Sequence, residues 1–117
     1  MNNEKTRIIQ ELVPGKQITI AHIIANPDEI LYQKLGLDPA EKHNGAIGIV
    51  TMSPSETAII AGDIAIKTSG AELGFVDRFS GTLIVMGTVS QVEEALESVC
   101  AYCRDKLKFS VCEITKT

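Results

Sequence analysis

Two cysteines at metal-ligand spacing are the first residues of this sequence that could do chemistry. Cys100 and Cys103 are separated by two residues, as in half of a structural zinc site. The second half is missing, because the two histidines, His22 and His43, lie far apart and neither has a partner nearby. Both cysteines also fall on the apolar face of a predicted helix, which favours core packing and no metal. With Cys112 the cysteine count is odd, so no disulfide framework is expected.

The candidate nucleophiles, acids and bases do not form an active-site pattern. No serine lies in a GxSxG setting, and neither histidine can be placed beside one. His22 falls within a predicted strand, where a structural role is favoured over that of a general base, and His43 falls in a polar loop. Most carboxylates occupy first turns of helices, where capping explains them. Phosphate-cradling glycine motifs are absent, so neither an enzyme nor a cofactor is expected. The serines that lack a GxSxG setting include Ser53, Ser69, Ser80 and Ser90.

Composition excludes two classes of partner. The chain has 117 residues, enough for one domain, with 44% hydrophobic and 22% charged residues. It has no Trp, 4% aromatic residues and a net charge of −4, so no nucleic-acid partner is expected. No apolar run reaches the roughly 20 residues that span a bilayer, so no membrane is expected either. The start is polar and lacks a secretory signal, which makes an intracellular protein the default.

The segment FVDRFSG contains the least expected side chains. Asp77 and Arg78 stand beside Phe79, Ser80 and Gly81, between two apolar runs that predict strands over 71–77 and 82–87. One interpretation is an ordinary hairpin corner whose surface ion pair is worth under about 1 kcal/mol. In a monomer, however, Phe79 would be exposed without reason. We therefore expect this corner to face further copies of the chain.

The first half of the sequence predicts two strands and a short helix. A strand over 7–13 is stopped by Pro14-Gly15, and a second strand over 17–25 has apolar residues on both faces, typical of a strand covered on both sides. One face carries Ile18, Ile20, His22 and Ile24, and the other carries Thr19, Ala21 and Ile23. The helix is expected to begin with Asn26 as its cap, to bury a stripe of Ile30, Leu31 and Leu35, and to end at Gly36.

The second half alternates strands and helices. Capping boxes at Ser53–Glu56 and Ser90–Glu93 predict two helix starts, after a strand over 46–52 and after the strand over 82–87. The second of these helices has one apolar face, and a terminal strand follows over 109–115. The expected architecture is α/β, with one sheet and helices on one side of it. The predicted apolar face comprises Val92, Ala95, Leu96, Val99, Cys100, Cys103 and Leu107.

Three stretches share the pattern of one known family. AIGI at 46–49 is followed by a helix ending AGDIAIK at 61–67, ELGFVDRFSG lies at 72–81, and GTVSQVEEA lies at 87–95. They resemble the bacterial microcompartment shell domain, a hexamer-forming tile of polyhedral protein organelles. The first stretch resembles the opening strand and helix of that family, the second is similar to the strand and turn that reach the central pore of the hexamer, and the third resembles the entry to the second helix.

The order of the motifs resembles a circularly permuted subclass, which includes shell proteins of ethanolamine, propanediol and choline compartments. AHIIANP at 21–27 looks like a strand that follows the second helix in most members, but here it precedes the core. The resemblance implies a permuted ferredoxin-like fold in one domain, with a barrel strand and turn at 1–16 and a core at 17–117. It also implies a structural shell protein in the cytoplasm, with other shell proteins and encapsulated enzymes as further partners.

The resemblance also assigns the site residues. The corner Asp77, Arg78, Phe79, Ser80 and Gly81 would surround the six-fold axis, where Asp77 and Arg78 can pair around the ring. Lys67 resembles the lysine at the hexamer edge, Asp63 belongs to the same motif, and Asn26 occupies the place of an edge arginine, whose fork of donors it lacks. From pattern alone, Lys67 is a cation stabilised by the helix dipole. In permuted relatives an N-terminal strand forms a small β-barrel over the pore; here its residues would be Ile8, Ile9, Gln10, Glu11, Leu12 and Val13.

Two other functions remain open at this point. A ligand-binding regulatory domain could share the same ferredoxin-like plan and would need a pocket with convergent polar groups. A small enzyme is the third interpretation.

Overall fold

The computed structural model describes residues 15–40 and 45–117, which contain six strands and three helices. The predicted strand over 7–13 and His43 lie outside these residues. None of the helices described is long and apolar enough to cross a membrane. In chain order the elements are β1 (Gln17–Ala25), α1 (Glu29–Leu35), β2 (Gly45–Ser53), α2 (Thr57–Thr68), β3 (Glu72–Asp77), β4 (Thr82–Thr88), α3 (Val89–Asp105), β5 (Ser110–Val111) and β6 (Thr115–Lys116).

All six strands form one sheet, which confirms the predicted α/β class. The central order is β3-β4-β2-β1, and these four strands pair antiparallel. The predicted terminal strand is present only as β5 and β6, two short pieces that both pair parallel to β1. Between them the backbone still bonds to β1, since Cys112 N–H donates to Ile18 O at 3.2 Å. β3 forms the opposite edge of the sheet.

Helices α2 and α3 pack on one face of the sheet and enclose the main core. Close approach needs small residues, and Gly48 on β2 is the clearest case. A Cβ at Gly48 would lie 2.7 Å from both Leu96 Cδ1 and Val92 Cγ1 of α3. The predicted apolar face of α3 is confirmed up to Cys103, whereas Leu107 lies beyond the end of the helix and is half-buried.

The segment after α1 lies on the opposite face of the sheet. A Cβ at Gly74 would meet Leu37 Cδ2 at 3.1 Å, whereas Gly62 of α2 faces Leu73 and Val76. Gly74 also faces the Ile84 side chain of β4, whereas Gly62 faces Leu83, the residue before it. Neighbouring residues of a regular strand point to opposite faces, so Leu37 and α2 are separated by the sheet. The expectation that all helical parts pack on one side of the sheet is therefore correct for α2 and α3. The segment after α1, which contains Leu37, packs on the other side.

The predicted faces of β1 are correct from Ile20 onward and wrong at Ile18 and Thr19, because the strand contains a bulge. Its register against β2 shifts between Ile18 and Ile20, where Thr19 is the extra residue. An extra residue reverses the alternation beyond it. Ile18, Ala21 and Ile23 are consequently the buried set, while Ile20 is 49% exposed. Within the described residues β1 is thus covered on its helix face and not on both faces.

The predicted start and buried stripe of α1 are also wrong. Asp28, not Asn26, is the N-cap, and its carboxylate accepts the Ile30 N–H at 3.0 Å. Asn26 has a φ of 51°, in the left-handed region, and so belongs to the turn that leaves β1. Ile30 and Leu35 are about half exposed, and Tyr32 is the buried residue of this helix.

The other two helix starts differ from the predicted capping boxes. Ser53 still belongs to β2, and α2 begins at Thr57, whose N–H donates to Pro54 O at 3.1 Å with no side-chain cap. At α3 the capping box is formed by Thr88 and Gln91, two residues before the predicted one at Ser90. Ser90 is already helical, so its hydroxyl cannot occupy the cap position.

Candidate functional site

The three cysteines belong to the core and its border. Cys100 and Cys103 are buried on α3, and burial raises the pKa of each thiol to about 11. Both therefore stay protonated and unreactive near neutral pH. In residues 15–40 and 45–117 no three His, Cys, Asp or Glu side chains cluster as a metal site. Core packing of Cys100 and Cys103 is confirmed.

His22 fastens the C-terminal segment to β1. Its Nδ1 lies 2.6 Å from Thr115 Oγ1, and its Nε2 lies 2.9 Å from Thr117 Oγ1. Both ring nitrogens are therefore occupied by hydroxyls, and neither is left to act on a substrate. The structural role predicted for His22 is confirmed. The partners could not be foreseen, because they lie more than 90 residues away in the sequence.

Asp77 shapes the corner between β3 and β4. Its Oδ1 accepts the Phe79 N–H at 2.9 Å, and its Oδ2 accepts the Ser80 hydroxyl at 2.8 Å. The Phe79 N–H, followed by the Ser80 hydroxyl, holds the pKa of Asp77 below its usual range. This carboxylate thus organises its own turn, and within the protomer it forms no ion pair with Arg78.

Gly81 joins the corner to the end of β2. Its φ is 77°, and a Cβ there would clash with the carbonyl oxygen of Met52. In return, Met52 N–H donates to Gly81 O at 2.9 Å, and Gly81 N–H donates to Asp77 O at 2.9 Å. The close approach of two backbones requires glycine. The corner is therefore held in one position relative to the sheet.

Arg78 and Phe79 form the exposed tip of the corner. Phe79 is 80% exposed, the highest fraction among the large apolar side chains described. The Arg78 guanidinium carbon lies 4.8 Å from the centre of the Phe79 ring, within the range of a cation–π contact. The tip thus combines an apolar ring with a cation that has no carboxylate partner among the ion pairs described.

An exposed apolar surface leads from this tip along α2 and the edge strand β3. We call it the α2–β3 strip. Ile59, Ile66 and Leu73 are each between 41% and 52% exposed, and they line open grooves with Val76 that continue to Phe79. The strip was not predicted from the sequence. Its signal was that the isoleucines of α2, Ile59, Ile60, Ile64 and Ile66, lie away from the small residues that α2 buries, which is typical of a helix covered on more than one side. The strip comprises Ile59, Ile66, Leu73, Val76 and Phe79.

Comparison with protein families decides the identity of this fold. Residues 46–115, more than half of the chain, match the BMC domain model. The chain belongs to the BMC domain family. This confirms the resemblance to the microcompartment shell domain, and it removes the support for a regulatory domain or an enzyme.

Curated relatives and a solved structure match this BMC protein over nearly its full length. It is 53% identical to the bacterial microcompartment shell protein EutS of Salmonella typhimurium, covering 97% of this chain and 98% of EutS. It is 51% identical to the shell protein PduU of the same organism, covering 95% and 93%. A solved structure described as a CutR flat hexamer superposes with a TM-score of 0.82 at 44% identity, covering 100% of this chain and 98% of CutR. These relatives are structural shell proteins, and so this BMC protein has a structural role and is not an enzyme.

The predicted edge residues of this BMC domain fall in two places. Lys67 Nζ lies 2.9 Å from Asp63 Oδ2 on the exposed side of α2, and this partner raises the pKa of Lys67. The side chains are 72% and 58% exposed, so the pair leaves most of both accessible. Asn26 lies elsewhere, at the end of β1, where its N–H donates to Gly45 O at 2.8 Å. The predicted barrel residues, 8–13, lie outside the described part of the chain.

Proposed function

We propose that six copies of this chain form a closed ring and that such rings tile the facets of a microcompartment shell in the cytoplasm. The observation that supports this most is the α2–β3 strip, an apolar surface that leads along one side of the protomer to Phe79. Half-exposed isoleucines and an edge strand are unfavourable in water and are typical of an interface. The chain would thus be a structural component of the shell and would catalyse no reaction.

A cyclic ring explains why the strip lies on one side only. In a heterologous contact each protomer offers one surface and receives a different one, and a closed ring leaves no strip uncovered. The strip would be covered by the next subunit, and its end at Phe79 would approach the axis. This arrangement gives the exposed ring of Phe79 a partner that the isolated protomer does not provide.

The remaining site residues are proposed to act at the axis and at the outer edge. Asp77, Arg78, Phe79, Ser80 and Gly81 would surround the axis, on a corner that Gly81 fixes to the sheet. Lys67 would lie along a neighbouring hexamer, where its aliphatic stem packs while its ammonium meets backbone carbonyls. Asp63 would hold Lys67 in place, and Asn26 would contribute only an amide where an arginine would bring a planar fork.

Circular permutation of the domain is supported by the position of β1. The family match starts at residue 46, yet β1, which precedes it, pairs with β2 over eight residue pairs inside the sheet. β1, which lies outside the segment that matches the family model, thus completes the same sheet. Residues 8–13 would then form a barrel over the axis, because only a closed barrel pairs the backbone of one strand per chain. The whole chain, 1–117, would be one permuted domain.

The ring is tested by placing a charge in the strip. The purified chain should sediment as a species six times the 12.6 kDa of one chain. Ile59→Asp buries a carboxylate in the subunit contact and should shift this species towards monomer. Ile60→Asp is the matched control: it lies next to Ile59 on α2, is 45% exposed and lines neither groove of the strip.

The same experiment can contradict the proposal. A wild-type chain that sediments as a monomer at all concentrations tested would refute the ring. Equal dissociation by both variants would show that the strip is not the contact. Circular dichroism of each variant verifies that the protomer itself remains folded.

A further inference from the structure

We infer that residues 7–13 cover an apolar patch on their own protomer until the ring forms. The patch lies on the side of the sheet opposite α2 and α3, and we call it the open face. The later release of residues 7–13 into the barrel over the axis rests on the proposed function, whereas the contact itself needs only one chain. The open face comprises Ile20, Ile49, Phe75 and Ile84.

The side chains of the open face lie next to one another across four strands. Gly48 of β2 faces α3, so its neighbour Ile49 points to the other side of the sheet. Ile49 pairs with Ile84 of β4, Ile84 pairs with Phe75 of β3, and Ile20 of β1 lies in the adjacent row. Ile20 and Phe75 are 49% and 47% exposed, and the other two are half-buried. Large apolar side chains that adjoin one another and remain open to water indicate a surface that something covers.

The described fold covers only one end of this side of the sheet. Ile24 pairs with Ile47 and Ile47 pairs with Met86 at the end of β1 that leads to α1, and Ile47 and Met86 are only 0% and 4% exposed. Ile20 lies towards the other end of β1, into which residues 1–16 lead. The part of the chain that precedes β1 therefore joins the sheet at the uncovered end.

Residues 7–13 are long enough to cross the open face. Seven extended residues span about 23 Å at roughly 3.3 Å each, whereas three strand spacings of about 4.8 Å, about 14 Å in all, separate β1 from β3. Gly15 has a φ of 87°, in the left-handed region, and can turn the preceding chain back over the sheet. A Cβ at Gly15 would meet nothing within 4 Å, so there is space beside this turn.

The composition of residues 7–13 suits the open face. Four of the seven side chains, Ile8, Ile9, Leu12 and Val13, are large and apolar. A short tether keeps them at an effective concentration in the millimolar range, which favours them over a second copy at micromolar concentration. A single strand that has not yet met its five partners offers unpaired backbone to other chains. The contact thus protects both the open face and the barrel strand before the ring closes.

A glutamate-specific protease tests the contact, because Glu11 lies within residues 7–13 and Glu4 precedes them. Monomers are obtained with Ile59→Asp or, should that chain remain a hexamer, by dilution. In monomers, cleavage after Glu11 should be about tenfold slower than cleavage after Glu4, because only the released fraction is cut. A free peptide of residues 1–16 gives the ratio of the two rates without the contact.

Two isoleucine variants locate the contact on the sheet. Ile20→Ser removes an apolar side chain of the open face and should bring the ratio close to that of the free peptide. Ile60→Ser is the matched control, because Ile60 is 45% exposed but lies on α2, on the opposite side of the sheet. This variant should leave the slow cleavage after Glu11 unchanged.

Each other outcome overturns a stated part of the inference. Cleavage after Glu11 at the rate of the free peptide would show that residues 7–13 do not cover the monomer. An equal ratio in Ile20→Ser and Ile60→Ser would show that the open face is not the docking surface. Protection that rises with protein concentration would place a second copy there instead. A wild-type monomer would refute the ring, but protection of Glu11 in that monomer would retain the contact, so the two failures are distinguishable.

Discussion

At the scale of single residues, the corner after β3 shows how local chemistry can define an assembly surface. Asp77 forms the turn by accepting two hydrogen bonds, and Gly81 attaches the turn to β2. Arg78 and Phe79 are thereby left at the tip with no structural task in the protomer. Within these five positions, Asp77 and Gly81 support the turn, whereas Arg78 and Phe79 are exposed at its tip. Only the side chains of Arg78 and Phe79 are therefore free to contact another subunit or a ligand.

Gly81→Ala should destabilise the chain by about 2 kcal/mol or more, because the added Cβ meets Met52 O and the positive φ is strained. Gly36→Ala is the matched control. Its φ of 72° is equally left-handed, but a Cβ there meets nothing within 4 Å, so only the strain of about 1 kcal/mol remains. Urea unfolding at one protein concentration measures both. Equal losses in the two variants would mean that the contact with Met52 is relieved by a small shift.

At the scale of elements, the C-terminal segment is held by few backbone pairs and by one side chain. β5 and β6 each contribute two residue pairs to β1, and His22 bonds the hydroxyls of Thr115 and Thr117. The pair between Lys116 Nζ and Glu93, at 2.6 Å, links the same segment to α3. This edge of the sheet thus depends on side-chain bonds more than its centre does.

His22→Ala should loosen residues 115–117 without unfolding the chain. Losing two hydrogen bonds of about 1 kcal/mol each should raise local amide exchange by roughly thirtyfold. Hydrogen–deuterium exchange measured by mass spectrometry reads this segment directly. Thr19→Ala is a suitable control, because the Thr19 hydroxyl also bonds a threonine, at 2.8 Å, but that partner is Thr51 of β2 and not a residue of the segment 115–117. Unchanged exchange in His22→Ala would show that the backbone pairs alone hold β6.

Deleting residues 1–13 should leave the ring intact and remove the proposed cap. The α2–β3 strip and the corner lie within residues 59–81, and among the described residues the corner is held by hydrogen bonds to Met52 and within 77–82. Sedimentation should therefore still give hexamers. Electron microscopy should show density over the axis in the full chain and none in the shortened one. A monomeric truncated chain would contradict this division of roles.

At the scale of the whole molecule, α2 carries residues of both proposed contacts. The strip would close the ring, and Lys67 would join one ring to the next. Asp63 pairs with Lys67 at 2.9 Å and also lines the groove of the strip beside Ile66 and Leu73. The two contacts would therefore meet at Asp63, whereas Lys67 would belong to the edge alone.

Lys67→Ala should prevent sheets while preserving hexamers. Removing the side chain deletes the stem that packs across the seam, but the strip is unaffected because Lys67 does not line it. Negative-stain microscopy measures sheet formation, and sedimentation measures the hexamer. Lys34→Ala is the control, an exposed lysine in the last turn of another helix, α1. Normal sheets from Lys67→Ala would place the edge elsewhere.

Sequence by itself determined the family, the α/β class and the apolar face of α3, because these depend on periodicity and on motifs that act within a few residues. It also located the corner and the structural role of His22. It could not reveal the bulge at Thr19, the cap at Asp28 or the absence of an Asp77–Arg78 pair within the protomer. Alternative positions for a bulge or a cap differ little in free energy, so contacts with neighbouring strands decide which one forms. The α2–β3 strip likewise emerged only from tertiary structure, since α2 and β3 must pack before their uncovered residues become one surface.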